Sequence, residues 1–327
     1  MAGIFRANNP FNTFLLLVYG IFLKICWFIH PHALTTGPMD GFLYKKFFPH
    51  IVLLQSQYPI FYDSIVYLFL FTQAVIFNRI VVNQRLMQKA NYYPAMSYLL
   101  LTSLFASWNE FSSVLIVNTL LIWAFAKINK LYNTNEPKVT LFNIGMIIGL
   151  ISFLFMPALG FLLFLILALI VSRPFRFREW VVALIGIITP YYLLCCQIFL
   201  SNGNLGAFKF PYLKPFLPVI HLNKIEWALL CLSFLVLGIG VYFVYTNLRK
   251  QVVQVRKNWT FILFYFLISC LLTFFYSGKI LEYSLLILVP LSAYFASFFF
   301  YPRFRIILII VHWVFVSFII YSGFINS

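Results

Sequence analysis

The sequence predicts an all-α fold: a bundle of membrane-spanning helices forming a single integral membrane domain over residues 1–327. Three observations predict it. First, 63% of the 327 residues are apolar and only 9% are charged, against about 45–50% and about 25% in a soluble domain. Second, the apolar residues fall into runs long enough to cross a hydrocarbon layer, which takes roughly 20 residues in a helix. Third, the 23 Lys and Arg outnumber the 7 Asp and Glu and collect in alternate gaps between the runs, as the inside-positive bias requires. This composition excludes a compact soluble protein, which needs more surface charge, and a disordered chain, which needs low hydrophobicity. On a soluble protein a net charge of +16 would point to nucleic acid. Against this apolar background it is a topology signal, and no nucleic-acid partner is expected.

Eleven candidate spans follow in order, at about 11–30, 59–81, 94–109, 111–128, 141–156, 157–172, 180–201, 225–246, 259–276, 280–300 and 304–324. The third, fifth and sixth are short. Met156-Pro157 divides the stretch 141–172 into two spans, since proline interrupts a helix. Without that division every later gap would change sides and the charge bias would be lost. With the N-terminus inside and the C-terminus outside, 16 of the 23 basic residues fall on the inner side and six on the outer side; Lys24 lies within the first span. That first run carries no small-residue cleavage site after it and reads as a retained signal anchor. The expected place is a bacterial inner membrane, crossed many times. No fixed-period repeat is evident, which argues against an inverted-repeat transporter. The five cysteines lie inside apolar runs and are odd in number, a pattern suited to neither a disulfide framework nor a metal cage.

The segment after the first span carries the most chemistry. Asp40 follows a Gly-Pro turn signal and precedes Gly41. Beyond it Leu43, Phe47, Ile51 and Leu54 recur at helical steps, with Pro49 as a kink. The spacing predicts a helix resting on the membrane surface with its apolar side down. Asp40 reads either as a turn aspartate or as a carboxylate held at the bilayer boundary. Glu110 sits in a tight outer turn between the third and fourth spans, either as a capping acid or as a second carboxylate on the same face. Together they would suit general-base and substrate-binding or metal-binding work. Lys279 opens the tenth span, as an interfacial anchor or as a point charge for a lipid phosphate. Lys24 reads either as snorkelling outward or as facing a partner or a water-filled cavity. His312, mid-span, is expected to bond a neighbouring helix. His30, His32 and Asp40 would together make a divalent-metal set, and a divalent cofactor stays open. The inner loop Ser172–Trp180 is dense in Arg and aromatics, either as an anchor or as a contact for anionic headgroups or a cytoplasmic partner.

Three of these features together resemble the GT-C superfamily of membrane glycosyltransferases: Asp40 before a surface helix, Glu110 in the next outer turn, and a late span opening Lys279-Ile280-Leu281-Glu282-Tyr283 with Pro290 behind it. The first loop holds one acid rather than a paired Asp-x-Asp, and the late proline is displaced. The resemblance implies a helical membrane enzyme that takes a sugar from a polyprenyl-phosphate donor on the outer side. Asp40 would be the catalytic base. Glu110 would orient the acceptor or a divalent ion. Lys279, with Tyr283 and Lys24, would bind the donor. The whole chain also resembles an uncharacterised family of Bacteroidota inner-membrane proteins, which implies location rather than activity. The alternative is a non-catalytic scaffold or subunit of an envelope secretion or assembly complex, with membrane-protein partners. The enzyme reading expects Asp40 and Glu110 to line one hollow open sideways to lipid, with Lys279 near.

Overall fold

A computed structural model describes residues 3–29, 34, 36–37, 39–131, 137–200, 224–274, 280–302 and 305–325. Among them are thirteen α-helices: α1 (Phe11–Ile29), α2 (Phe42–Gln57), α3 (Pro59–Asn83), α4 (Tyr93–Thr102), α5 (Ser113–Lys130), α6 (Pro137–Ile151), α7 (Phe161–Ser172), α8 (Phe177–Leu200), α9 (Lys224–Leu248), α10 (Val253–Phe274), α11 (Ile280–Tyr283), α12 (Leu285–Phe300) and α13 (Arg305–Ile325). Each of the eleven apolar runs contains a helix. Seven of these, α1, α3, α5, α8, α9, α10 and α13, are long and apolar enough to cross a membrane. The other four (α4, α6, α7 and α12) fall short, and two of the breaks have visible causes. Pro157 opens a 3-10 turn, Met156–Gly160, between α6 and α7. Beyond α4, the Asn109 amide donates to the carbonyls of Thr102 and Phe105 at 3.1 and 3.0 Å, satisfying groups that another helical turn would have taken.

Two of the short helices, α4 and α12, are the most enclosed. All ten residues of α4 are buried, and it packs between α3 and α12. A polar chain runs through this core. Tyr98 of α4 donates to Gln73 of α3. The Gln73 amide donates to Leu115 O and Thr119 Oγ1 of α5 at 2.8 and 2.7 Å. Asn118 donates to the Tyr98 hydroxyl at 3.1 Å and accepts from Tyr265 of α10 at 3.3 Å. Four helices thus share one buried hydrogen-bonded set, which fixes their register where dispersion alone is undirected.

Glycine sets the closest contacts. A Cβ on Gly145 would meet Ala183 O at 2.4 Å, one on Gly149 would meet Ile187 O at 2.5 Å, and one on Gly186 would meet Phe142 O at 2.4 Å. The Gly-x-x-x-Gly spacing of α6 therefore lets α8 lie parallel to it, backbone against backbone. Helix direction then sorts charge. Arg173 Nε donates to Leu131 O, Asn258 to Gln84 and Trp259 to Leu86 O, so the ends rich in Lys and Arg gather at one end of the bundle. Asp40, Asp63, Glu110, Glu226 and Glu282 lie toward the other.

The glycine contacts separate two variants by sign. Gly149→Ala forces α6 and α8 apart and costs about 1–3 kcal/mol. Gly238→Ala, with nothing within 4 Å of the new Cβ, is neutral or slightly stabilising. Thermal unfolding of the two detergent-solubilised variants measures the difference.

Candidate functional site

The acidic end is built on a short backbone pairing. Gly41 N–H donates to Leu154 O at 2.7 Å, Leu43 N–H to Phe153 O at 3.0 Å, and Met156 N–H to Met39 O at 3.3 Å. Asp40 thereby faces Phe155 across an isolated antiparallel bridge. Only glycine fits at position 41, because a Cβ there would lie 2.0 Å from Phe153 O. The pairing fixes where α2 starts. It also buries Asp40, which is 4% exposed. One carboxylate oxygen accepts from Gly37 N–H at 2.6 Å and the other from the Ser113 hydroxyl at 2.5 Å.

Helix α2 is present as the spacing predicts, with Pro49 inside it, and Leu43, Ile51 and Leu54 of its stripe pack against the core. Tyr44 is buried and Phe47 is exposed, because the polar end of a tyrosine finds a partner there. The Tyr44 hydroxyl donates to Phe111 O at 2.7 Å, and Phe111 N–H donates to the Tyr62 hydroxyl at 2.8 Å. Burial keeps the Tyr44 phenol neutral well above its ordinary range, and the charges of Asp40, Glu282 and Glu110 add to the effect. Three acids therefore surround one tyrosine.

Beside this tyrosine pair a narrow cleft, with free space of about 30 Å³, lies between α1 and α3. Gln55, Asp63, Asn109 and Glu110 supply polar groups, and Lys24 a cation. Tyr62, Val66 and Leu70 continue it down α3, about 12 Å along the helix, with Trp27 and Phe28 opposite on α1. Lys24 is 2% exposed. Its three donors meet Thr102 O at 3.3 Å, Thr102 Oγ1 at 3.2 Å, and Asn109 Oδ1. These acceptors are all neutral, and the two ion pairs among the described residues both involve Glu179. Asp63 Oδ2 is buried without a hydrogen bond among the described residues.

The residues expected from sequence thus divide. Glu110 and Lys24 line the cleft. Asp40 does not: it lies behind Tyr44 in its own hydrogen bonds, so this cleft is not the common hollow expected of the two acids. Tyr283 lies on the Asp40 side, 1% exposed, its ring 4.8 Å from that of Phe155. Lys279, His30 and His32 lie outside the described residues. His312 bonds the Tyr19 hydroxyl of α1 through Nε2 at 3.0 Å, as expected for a mid-span histidine. Gln55 and Tyr62 carried no signal in the sequence; Asp63 and Glu282 stood out only as two of the five acids that fall on the same side of the predicted spans. Among the described residues no group of three or more His, Cys, Asp or Glu is placed to hold a metal ion. The cleft brings the Glu110 carboxylate, the buried Lys24 amine and the apolar side chains of α3 together along one wall.

Asp40→Ala leaves Gly37 N–H and the Ser113 hydroxyl without their acceptor and costs about 1–3 kcal/mol. Glu110→Ala, on the cleft wall, shifts the midpoint less. Thermal unfolding of the two purified variants checks the order.

Comparison with known proteins places the chain without naming an activity. No curated protein and no solved structure matches it. One family model matches residues 41–326, from the glycine of the backbone pairing to the end of α13. The chain belongs to that family, a family of unknown function, DUF6427.

Proposed function

We propose that the protein transfers a sugar from a polyprenyl-phosphate donor to an acceptor on the outer face of the bacterial inner membrane, in the manner of the GT-C enzymes it resembles. The supporting observation is the grading of the cleft. Acids sit at its rim, a buried amine with only neutral partners lies below, and an apolar wall continues down α3. A lipid-borne sugar phosphate has that same order of groups. Its chain stays in the hydrocarbon while its head reacts at the rim.

In this reading all eleven apolar runs span the membrane, N-terminus in and C-terminus out, with the acidic end outward. The four short helices count as spans because longer neighbours flank them, α4 most completely. Glu110 is the catalytic base, since it reaches the cleft. Asp40 is a positioning residue that holds α2 and the first loop. Lys24 offsets charge on the donor phosphate as the bond to sugar breaks, with Lys279 in the same role. Stabilising that leaving charge is where most of the rate arises. The scaffold reading has one observation of its own: the span windows of α8 and α9 are only 22% and 28% buried, leaving long apolar faces for lipid or for membrane-protein partners.

Lipid extracts separate the two. Deleting the gene is expected to accumulate a polyprenyl-phosphate sugar, seen by mass spectrometry. Wild-type protein clears it, while Glu110→Gln, which removes a base contributing about 10²–10⁴ in rate, does not. Identical extracts with and without the gene would sink the enzyme reading.

A further inference from the structure

The opposite end of the bundle holds a second, wider cleft that the proposed reaction does not use. It lies between the starts of α6 and α8, with free space of about 890 Å³. Lys138, Arg176 and Arg178 line it, with Glu179 as the one acid. The glycine contacts explain why it exists. Because α6 and α8 run parallel with their backbones touching, they begin side by side, and both positive helix ends face the same opening.

One carboxylate organises the cations. Glu179 is 4% exposed and lies 3.6 Å from Arg173 and 3.8 Å from Arg176. Arg173 is held in turn by Leu131 O at 3.0 Å. Glu179 is therefore shared between two guanidinium groups. Lys138 and Arg178 form no ion pair among the described residues. The lining keeps a surplus of positive charge around a preformed hollow.

We propose that this cleft binds the phosphodiester headgroup of an anionic membrane lipid. The apolar shoulder decides for a lipid over a free phosphate. Phe175 and Phe177 are 74% and 71% exposed and Val139 is 57% exposed, beside the cations and at the starts of α6 and α8. Acyl chains cover such a surface; inorganic phosphate leaves it in water at an energetic cost. Arginine and lysine near a bilayer surface attract anionic headgroups, and exposed aromatics settle at the same depth.

Titration of the purified full-length protein with short-chain phosphatidylglycerol and phosphatidylcholine, followed by native mass spectrometry, tests this. Wild-type protein is expected to take up phosphatidylglycerol in preference. Lys138→Gln with Arg178→Gln weakens that uptake about 30-fold, from the loss of two surface cations. Lys138→Arg with Arg178→Lys, which keeps the charge, retains it. Arg249→Gln with Lys250→Gln, at the same end but outside the cleft, leaves it unchanged. Equal uptake of the two lipids overturns the proposal, as does equal loss in both Gln pairs. Displacement of phosphatidylglycerol by inorganic phosphate at equal concentration overturns the lipid assignment in favour of a free-phosphate site.

Discussion

The arrangement of the acidic end depends on one constraint: irregular backbone near a bilayer must find its hydrogen-bond partners inside the protein. Here two irregular stretches satisfy each other, the run up to Gly41 and the turn between α6 and α7, through three backbone hydrogen bonds. The pairing brings chain segments more than a hundred residues apart into contact and leaves α2 one place to begin. Asp40, Tyr44 and Tyr283 all take their positions from it. The Asp40 carboxylate serves the same constraint, since its oxygens accept from Gly37 N–H and from Ser113 at the start of α5.

The same constraint operates in the middle of the bundle by side chains. Tyr98, Gln73, Asn118 and Tyr265 are costly in an apolar core unless each is paired. They pair with one another across α3, α4, α5 and α10. Pairing them requires one register of the four helices, so the network supplies direction that apolar packing lacks. It also explains how a ten-residue helix is kept at the centre: α4 is held by what surrounds it rather than by its own length.

What was legible in the sequence follows from the range of each signal. Apolar runs are local, and every one contains a helix. The break at Met156-Pro157 and the helix after Asp40 are local too, and both are present. The lengths of α4, α6, α7 and α12 were less legible, because hydropathy does not distinguish a short helix enclosed by protein from one that meets lipid. The close packing of Gly145 and Gly149 on Ala183 to Pro190 is set by the fold and was not read from the sequence. The cleft was least legible. Lys24, Asp63 and Asn109 belong to separate elements, and Tyr44 and Tyr62 are two among 20 tyrosines. Sequence placed Asp40 and Glu110 at the same end correctly but carried no information on which of them faces an opening.

That difference in exposure separates their roles. A base must reach its proton, and a carboxylate whose oxygens accept backbone and hydroxyl donors at the root of a helix is committed to holding that helix. Glu110 takes no part in the pairing of the loops and lines the cleft. It stands after the 3-10 turn whose Asn109 already serves Lys24 and the end of α4. One short turn therefore caps an inner helix, satisfies a buried amine and presents an acid to the cleft. Charge follows the same division at the scale of the molecule. The acids sit where backbone is irregular and a cleft descends into the bundle, and the cations gather where parallel helices begin.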